Sequence, residues 1–290
     1  MIPVDFDYVR PCDVPSAAAL LAQASPDSVA ILAGGQSLLT ELKQRMRRPQ
    51  LVVDLGGIGE LKRIAVDGDI IRIGAMATQA DIVRHPFVLE RLEILAEVAA
   101  VAADPMVRGQ GTLVGALCHA DPSGDWVAAC LVLDAVIEVR CGDVQREMTI
   151  SEFVSGPGRN ALQVGEMVTG LRIEAPATAR LAAYRKVRHT AIGWSVAGLA
   201  ASLEVDPDGR CVDCRLAASG ALGRPQRLTE VEDALSGFML KDSPGLARLI
   251  AGATGDLDFL DDRHASGAYR ATRLSVLVRR TLSELSLAPA

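Results

Sequence analysis

The 290-residue sequence is poor in aromatic residues and has no excess of positive charge. Aromatic side chains make up 3% of the chain, and the formal net charge is −6 at pH 7. Proteins that bind single-stranded nucleic acid stack bases on aromatic side chains, and binding of nucleic acid in general depends on a basic surface that displaces counterions. We therefore expect no nucleic-acid partner. Hydrophobic residues amount to 49%, which predicts a large core built mainly from Ala, Val, Leu and Ile.

Cysteines and long apolar segments are also scarce. Six cysteines are scattered along the chain, too few for a disulfide framework in a protein of this size. The first residues show no basic region followed by an apolar stretch, as a secretory signal would. The best apolar run, Val127 to Val139, is interrupted by Asp134, so we expect no membrane span. These absences predict a cytoplasmic protein with reduced cysteines.

Two turns rich in small residues are the most informative segments. The first is Ala33–Leu38 (Ala-Gly-Gly-Gln-Ser-Leu), and the second is Gly111–Ala116 (Gly-Thr-Leu-Val-Gly-Ala), which continues into Cys118–Asp125. Residues without bulk let a phosphate approach the backbone N–H groups closely. The first turn follows an apolar run, Val29–Leu32, and opens a helix-like stretch, an arrangement that favours anions. Two such turns suit a diphosphate better than a single phosphate.

Together these segments resemble the FAD-binding medium subunit of the molybdenum hydroxylases, the group of carbon monoxide dehydrogenase, xanthine dehydrogenase and bacterial N-heterocycle dehydrogenases. That family has Ala-Gly-Gly-His/Gln-Ser-Leu in its first loop, and Thr-Ile-Gly-Gly-Asn followed by Ala-His-Ala-Asp-Pro-x-x-Asp in its second. The resemblance extends from Phe6–Pro11 near the start to Ala268–Arg270 near the end. Val114 and Ala116 depart from the family pattern, where they replace a glycine and the asparagine.

The resemblance implies that this chain binds FAD through the two loops. The amides of Gly34–Ser37 and those around Thr112 would hold the diphosphate, with the hydroxyls of Ser37 and Thr112 as further donors. Asp125 would accept hydrogen bonds from a ribose hydroxyl of the adenosine half, since a carboxylate is an acceptor-only group that suits a diol.

A basic residue near the start of the second region would stand beside the flavin ring. Lys186 is the first choice, with Arg185 and Arg188 as alternatives, because a cation there stabilises the negative charge of the reduced flavin. The alternative interpretation is that Lys186 is a solvent-exposed charged residue on a strand, without a role at the flavin. We expect no catalytic residue and no metal ligand on this chain. The expected cofactor-binding residues are Leu32, Ala33, Gly34, Gly35, Gln36, Ser37, Leu38, Gly111, Thr112, Val114, Gly115, Ala116, His119, Asp125, Val168 and Lys186.

Periodicity and turn signals predict an α+β protein in which an antiparallel sheet is covered on one side by helices. Pro176 marks a boundary between a first region, 1–176, and a second, 177–290. By resemblance, the first would adopt the FAD-binding fold of the vanillyl-alcohol oxidase/MurB type in two subdomains, and the second would be the family's smaller C-terminal α+β domain.

The expected helices are 14–24, 88–103, 126–133, 229–237, 243–252 and 265–285. The expected strands are 28–32, 50–55, 135–140, 167–173, 181–186, 196–203 and 211–219, with a hairpin over 61–73 that turns at Asp67-Gly68.

Three other motifs have simpler interpretations. Gly156–Ala161 matches a degenerate Gly-x-Gly-x-x-Ala fingerprint, but it lacks the strand and acidic residue of a dinucleotide site, so we expect a surface loop. Cys211 and Cys214 form a single CxxC in a strand-like segment, where residues three apart point to opposite faces, which argues against metal or redox chemistry. The basic run Lys43–Arg48 indicates a solvated helix end or a protein contact.

The resemblance also implies partners. The chain would be the electron-output subunit of a complex in which a large subunit carries molybdopterin and a small subunit carries two [2Fe–2S] clusters, as a dimer of heterotrimers. FAD on this chain would collect the electrons and pass them to an external acceptor. Two alternatives stay open: a stand-alone flavin oxidoreductase of the same fold, and a scaffold subunit that has lost FAD.

Overall fold

The computed structural model describes residues 2–178, 180–190 and 193–287. Its helices are α1 Val14–Ala22, α2 Leu38–Lys43, α3 Gln79–Ile82, α4 Pro86–Arg91, α5 Glu93–Ala102, α6 Pro105–Arg108, α7 Leu113–His119, α8 Asp125–Val132, α9 Ile150–Phe153, α10 Thr229–Leu235, α11 Ser243–Ala253 and α12 Gly267–Leu287. Its strands are β1 Asp7–Val9, β2 Val29–Leu32, β3 Leu51–Asp54, β4 Ile64–Asp67, β5 Ile70–Gly74, β6 Val136–Cys141, β7 Val144–Thr149, β8 Val154–Gly156, β9 Arg159–Asn160, β10 Met167–Glu174, β11 Leu181–Arg188, β12 Ser195–Val205, β13 Cys211–Ser219 and β14 Gln226–Arg227. The mixture of helices and sheets confirms the α+β class.

Two sheets form the frame of the first region. A small parallel sheet has the order β1-β3-β2, and a five-stranded antiparallel sheet has the order β4-β5-β10-β6-β7. The first loop leaves β2 and enters α2, and the second loop leads into α7. Both loops are therefore held at the ends of regular elements.

The hairpin of β4 and β5 turns one residue later than predicted. Asp67 pairs with Ile70 across the hairpin, so the two loop residues are Gly68 and Asp69. Gly68 has φ of +58°, a conformation that costs glycine little. The glycine signal was correct, but its position within the turn was not.

The helix predicted over 88–103 is broken at Leu92, which has φ of −137° and ψ of 44°. The break separates α4 from α5. Val88, Leu92, Leu95 and Ala99 are all buried, and their spacing keeps the helical period across the break. Hydrophobic spacing alone therefore does not reveal it.

The second region contains a four-stranded antiparallel sheet of order β11-β12-β13-β14. Helices cover both of its faces, whereas the sequence predicted only one. Leu199 and Ala201 pack into a cluster with α10, α11 and α12, while Ala200 and Ala217 belong to the core of the first region, against α8. Because both faces are buried, β12 is apolar and rich in small residues rather than alternating.

A β-bulge changes the expected direction of the CxxC side chains. Cys211 pairs with Val205 and Asp213 with Glu204, which leaves Val212 as an extra residue. Cys211 and Cys214 are therefore both buried on the same side of the sheet, and the prediction of opposite faces was wrong because a bulge shifts the alternation by one residue. A hydrogen bond with Cys214 lowers the pKa of the Cys211 thiol, and the same bond, together with burial, raises that of Cys214.

Among the described residues, no helix combines the length and the apolar character needed to cross a lipid bilayer.

Candidate functional site

The two glycine-containing loops lie in direct contact. A Cβ atom added to Gly34 would stand 2.7 Å from Cα of Gly111 and closer still to the carbonyl oxygen of Gln110. One at Gly115 would stand 3.8 Å from Cβ of Ala33. Only glycine fits at position 34, because the obstructing atoms belong to the backbone of the second loop. The fold thus brings together two segments that are 78 positions apart, as measured from Gly34 to Thr112.

The first loop presents a row of backbone N–H groups without partners. Within the described residues, the amides of Gly35, Gln36, Ser37 and Leu38 form no hydrogen bond, and the Ser37 hydroxyl does not cap α2. Gly35 has φ of +74°, which glycine tolerates and which reverses the chain between β2 and α2. Backbone N–H groups left unpaired beside small residues form a concavity suited to an anion, so the donor set fits the diphosphate of FAD.

The second loop is built around Thr112. Its hydroxyl oxygen accepts a hydrogen bond from the Gly115 amide at 3.0 Å and so caps α7. A Cβ at Gly115 would lie 2.7 Å from that oxygen, which explains the glycine. Val114 lies inside the first turn of α7 and is buried. Its backbone is helical, so the family glycine that it replaces is not required here for a positive φ.

A hairpin holds the far end of α7. The segment Gly156–Ala161 begins at the last residue of β8 and contains β9, which pairs with β8. Asn160 Nδ2 donates to the carbonyl of Cys118 at 2.7 Å. The Gly158 amide donates to the carbonyl of Ala120, the left-handed residue that ends α7. The expectation of a surface loop was incomplete, because this hairpin also holds the C-terminal end of α7 through the carbonyls of Cys118 and Ala120. Its role had no sequence signal, since β8 is only three residues long.

A buried polar cluster surrounds Asp125 at the start of α8. Asp125 accepts hydrogen bonds from Lys186 Nζ at 2.7 Å, from Ser195 Oγ at 2.6 Å and from the Tyr184 hydroxyl. The side chains of Lys186 and Asp125 are only 4% and 5% exposed. Lys186 also donates to the carbonyl of Gly193 at 3.1 Å. The negative charge of the Asp125 carboxylate and the positive charge of the Lys186 ammonium therefore neutralise each other in the interior of the protein.

Tyr184 and Gly198 complete this cluster and were missed by the sequence reasoning. Burial, followed by the charge of Asp125, raises the pKa of Tyr184 well above its usual value. A Cβ at Gly198 would lie 3.2 Å from Ser195 Oγ, and closer to the hydroxyls of Tyr184 and Ser219. Glycine at this position makes room for the hydroxyl groups. Tyr184 and Lys186 are two apart in β11, so strand alternation was the one signal that could have placed them on the same face.

Of the three basic residues considered for a place beside the flavin, Lys186 contacts Asp125, whereas Arg185 and Arg188 have other surroundings. Arg185 pairs with Glu97 at 3.1 Å and with Glu284 at 3.2 Å, and Arg188 is exposed. The resemblance assigned Asp125 to the ribose of the adenosine half and Lys186 to the flavin, yet their side chains are in contact.

The remaining expected residues are dispersed around the loops. Leu32 and Leu38 pack in a small cluster with α2, and Gln36 Nε2 donates to the carbonyl of Gly34 at 3.1 Å. His119 lies at the opposite end of α7 from Thr112, with its Nδ1 3.6 Å from Glu41. Val168 is buried in β10. Neither His119 nor Val168 lies in the row of unpaired amides.

Two family models match this chain. One is described as the FAD binding domain in molybdopterin dehydrogenase and matches residues 4–176. The other is described as the CO dehydrogenase flavoprotein C-terminal domain and matches residues 182–285. Together they cover most of the chain, and they confirm the FAD cofactor and the fold that the resemblance implied.

Individual relatives agree with these models. The chain is 33% identical over 277 residues to the nicotine 6-hydroxylase medium subunit of Paenarthrobacter nicotinovorans, covering 96% of each. It is 32% identical over 282 residues to the carbon monoxide dehydrogenase medium chain of Afipia carboxidovorans, covering 97% of each. Its structure is similar to that of carbon monoxide dehydrogenase from Oligotropha carboxidovorans, with a TM-score of 0.93, 31% identity and 99% of both chains covered. Quinoline 2-oxidoreductase from Pseudomonas putida 86 gives a TM-score of 0.92 at 28% identity, covering 99% of this chain and 98% of that one.

These relatives are named as subunits of dehydrogenases, hydroxylases and related oxidoreductases, which confirms the oxidoreductase class. The chain belongs to the family of FAD-binding medium subunits of the molybdenum hydroxylases.

Proposed function

We propose that this chain holds FAD between its two loops and transfers electrons from the [2Fe–2S] clusters of a small partner subunit to an external acceptor. The observation that carries the proposal is the row of unpaired amides from Gly35 to Leu38 beside the backbone of the second loop. A buried or half-buried N–H without a partner is costly, so a ligand that accepts from several of them at once is favoured.

The residues of the two loops would bind the diphosphate. The amides of Gly35, Gln36, Ser37 and Leu38 would donate to the diphosphate, and the hydroxyls of Ser37 and Thr112 would supply further donors. The oxygen of Thr112 already accepts from Gly115, but its O–H proton is free to donate. When bound, FAD supplies the capacity to take up and release electrons singly or in pairs.

Asp125 and Lys186 would act as one unit at the flavin end of the cofactor. An ammonium has three N–H donors, and Asp125 and the carbonyl of Gly193 take two of them. Within the part of the chain that the structure describes, the third donor has no partner, and it would serve the cofactor. Asp125 and Tyr184 fix the direction of that donor, because both are buried and hydrogen-bonded to each other. This assignment replaces the ribose role that the resemblance gave to Asp125.

The organisation of the complex follows from the same proposal. We place the FAD-binding domain at 1–176 and the C-terminal domain at 177–290, supported by the two separately matched family models. The partners would be a small [2Fe–2S] subunit and a large molybdopterin subunit, assembled as a cytoplasmic dimer of heterotrimers. The word "medium" in the names of the relatives supports a complex with one smaller and one larger partner.

Absorbance and turnover of the purified chain test this function. We expect flavin bands near roughly 450 nm, as oxidised flavins generally show, and no oxidation of the complex's organic substrate with an artificial dye until both partner subunits are added. A chain that neither purifies with FAD nor takes it up would support the scaffold alternative. Bleaching of the flavin by the organic substrate in the isolated chain would support a stand-alone oxidoreductase instead.

A further inference from the structure

A buried arginine in the first turn of α12 joins three parts of the second region. The side chain of Arg270 is only 3% exposed. Its Nη1 donates to the carbonyl of Val196 at 2.8 Å and to that of Gly220, and its Nη2 donates to Asp262 Oδ1 at 2.8 Å. The guanidinium therefore connects the start of β12, the residue that follows β13 and the loop before α12.

Burial of this side chain is unfavourable in itself. Within the part of the chain that the structure describes, the Nε–H of Arg270 has no hydrogen-bond partner. A buried N–H group without a partner loses its interaction with water and gains nothing in return. An apolar side chain would be buried at lower cost. The reason for an arginine at this position therefore lies in the groups that it holds.

The sheet does not hold the start of β12 by regular pairing. Along β11, the pairing skips Val196, which is an extra residue between the pairs of Ser195 and Ala197. A residue at such a bulge lacks a regular ladder partner. The carbonyl of Val196 is one of the two that Arg270 holds. Arg270 thus replaces the missing strand contact directly beside Ser195.

Gly220 brings the same arginine into contact with the loop that precedes Asp125. The Gly220 carbonyl accepts from Arg270, and its amide donates to the carbonyl of Pro122 at 2.7 Å. Gly220 has φ of +70°, and an added Cβ would stand 2.8 Å from the carbonyl carbon of Ser195 and closer still to its oxygen. Only glycine fits between these groups. Arg270 is therefore linked to both sides of the buried cluster around Asp125.

We propose that Arg270 is a positioning residue for the flavin end of the site, because it holds Ser195 against Asp125 and so keeps the third donor of Lys186 directed at the cofactor. The inference rests on the proposed function, which places FAD beside Lys186. Ser195 Oγ donates to Asp125 at 2.6 Å, and Asp125 accepts from Lys186 at 2.7 Å. In this proposal Arg270 acts through Ser195 and does not contact the cofactor.

The sign of the effect follows from the charges. When Ser195 moves away, Asp125 loses one of its donors, and the carboxylate keeps more uncompensated negative charge. It then holds the Lys186 ammonium more tightly, so less positive charge acts on the flavin. Reduced flavin carries the negative charge that such a cation stabilises. Loss of Arg270 should therefore lower the midpoint potential of the bound flavin.

Arg270→Met and Arg270→Lys test the inference by potentiometric titration followed through the flavin absorbance. Methionine removes all the donors of the guanidinium. We expect the ratio of the affinities for reduced and oxidised FAD to fall roughly tenfold, which lowers the potential of a two-electron couple by about 30 mV. Lysine keeps the charge beside Asp262 but lacks the planar fork, so its effect should be smaller and of the same sign. The lysine variant also carries the test if the methionine variant does not fold.

Arg180→Met is the matched control. The side chain of Arg180 is 9% exposed and donates to the hydroxyl and the carbonyl of Ser202, also in β12. Ser202 lies about 23 Å along the strand from Ser195. This variant should lower the melting temperature as Arg270→Met does, yet leave the affinity ratio within roughly twofold.

A double-mutant cycle with Ser195→Ala separates positioning from a general loss of stability. Ser195→Ala should lower the potential by itself, and an Arg270 variant should add little in that background, because both act on one hydrogen bond. Melting temperatures fall whether Arg270 positions Ser195 or only stabilises the fold, so the decision rests on the potential.

The outcomes distinguish this inference from the proposed function. Flavin absorbance of the wild type comes first: a chain that neither contains nor takes up FAD defeats the proposed function and this inference with it. If FAD is bound and both Arg270 variants keep the wild-type potential, only the inference is wrong. Full additivity of Arg270→Lys and Ser195→Ala, or an equal shift in Arg180→Met, would likewise overturn it and leave the proposed function standing.

Discussion

Replacement of Gly34 by alanine should separate the two loops and release FAD while leaving the overall fold intact. The added Cβ would lie 2.7 Å from Cα of Gly111, whereas carbon atoms in contact are normally about 3.5–4.0 Å apart. The obstructing atoms belong to the backbone, which has no rotamer to change. The loops must therefore move apart by about 1 Å.

The size of the effect follows from that displacement. A hydrogen bond of about 2.9 Å that lengthens by about 1 Å is no longer a hydrogen bond. Each amide that donates to a charged phosphate contributes about 1.5–3 kcal/mol. If two such bonds are lost, FAD binding weakens by about 3–6 kcal/mol, which is roughly a hundredfold to ten-thousandfold. Overpacking should cost the protein itself only about 1–3 kcal/mol.

Isothermal titration of the apoprotein with FAD measures the affinity, and circular dichroism melting measures the fold. Gly252→Ala is the matched control, because Gly252 lies inside α11 and, apart from its chain neighbours and its own helix backbone, no atom of the described residues comes within 4 Å of the added Cβ. It should bind FAD normally and gain about 0.5–1 kcal/mol of stability. Normal FAD affinity in Gly34→Ala would refute the assignment of the cofactor to the contact between the loops.

Three further predictions concern the buried groups. Asp125→Ala leaves the Lys186 ammonium buried without its counter-ion. The free energy of unfolding should therefore fall by about 3–5 kcal/mol, and the melting temperature by roughly 6–20 °C. An unchanged melting temperature would show that water reaches the lysine. Burial raises the pKa of Tyr184, so its phenol stays protonated in the folded chain at a pH where the unfolded chain ionises. The contribution of Tyr184 to the free energy of unfolding is therefore fully present below about pH 10 and decreases as the pH rises further. Urea unfolding should show a shallower alkaline decline for Tyr184→Phe than for the wild type. Burial raises the pKa of Cys118 to about 12, whereas Cys12 is exposed. A thiol reagent added to the native protein at pH 8 should therefore modify Cys12 before Cys118. Peptide mass spectrometry of the labelled chain would show which cysteine has reacted.

The sequence predicted the individual elements well because their signals are local. The strands around residues 51, 137, 170, 184, 199 and 215 all appear where apolar runs ended by turn residues placed them. The two loops were recognised because glycine and small polar residues leave a specific pattern. Their contact was implied only by the resemblance, since nothing local relates Gly34 to Gly111.

Features that depend on contacts between distant parts of the chain have no local sequence signal, so the sequence did not predict them. The bulge at Val212 arises from the pairing of β12 with β13, and the sequence of β13 alone reads as a regular alternation. The cluster at Asp125 joins a helix start to residues 59 and 70 positions further along the chain. Tyr184 and Ser195 have ordinary alternative roles in a strand, so only the folded chain shows that their hydroxyls converge on one carboxylate.

The complete burial of α8 has a consequence for how the protein is made. All eight residues of this helix are buried, and β12 and β13, which cover it, lie much later in the chain. During synthesis, α8 leaves the ribosome on the order of several seconds before its cover exists. A nascent or truncated chain that ends near Pro176 therefore displays an apolar helix with the carboxylate of Asp125 at its start and no lysine to pair with it. Chaperones and proteases would meet this half-covered state first, so the yield of the complex depends on how quickly the last sheet closes over the helix.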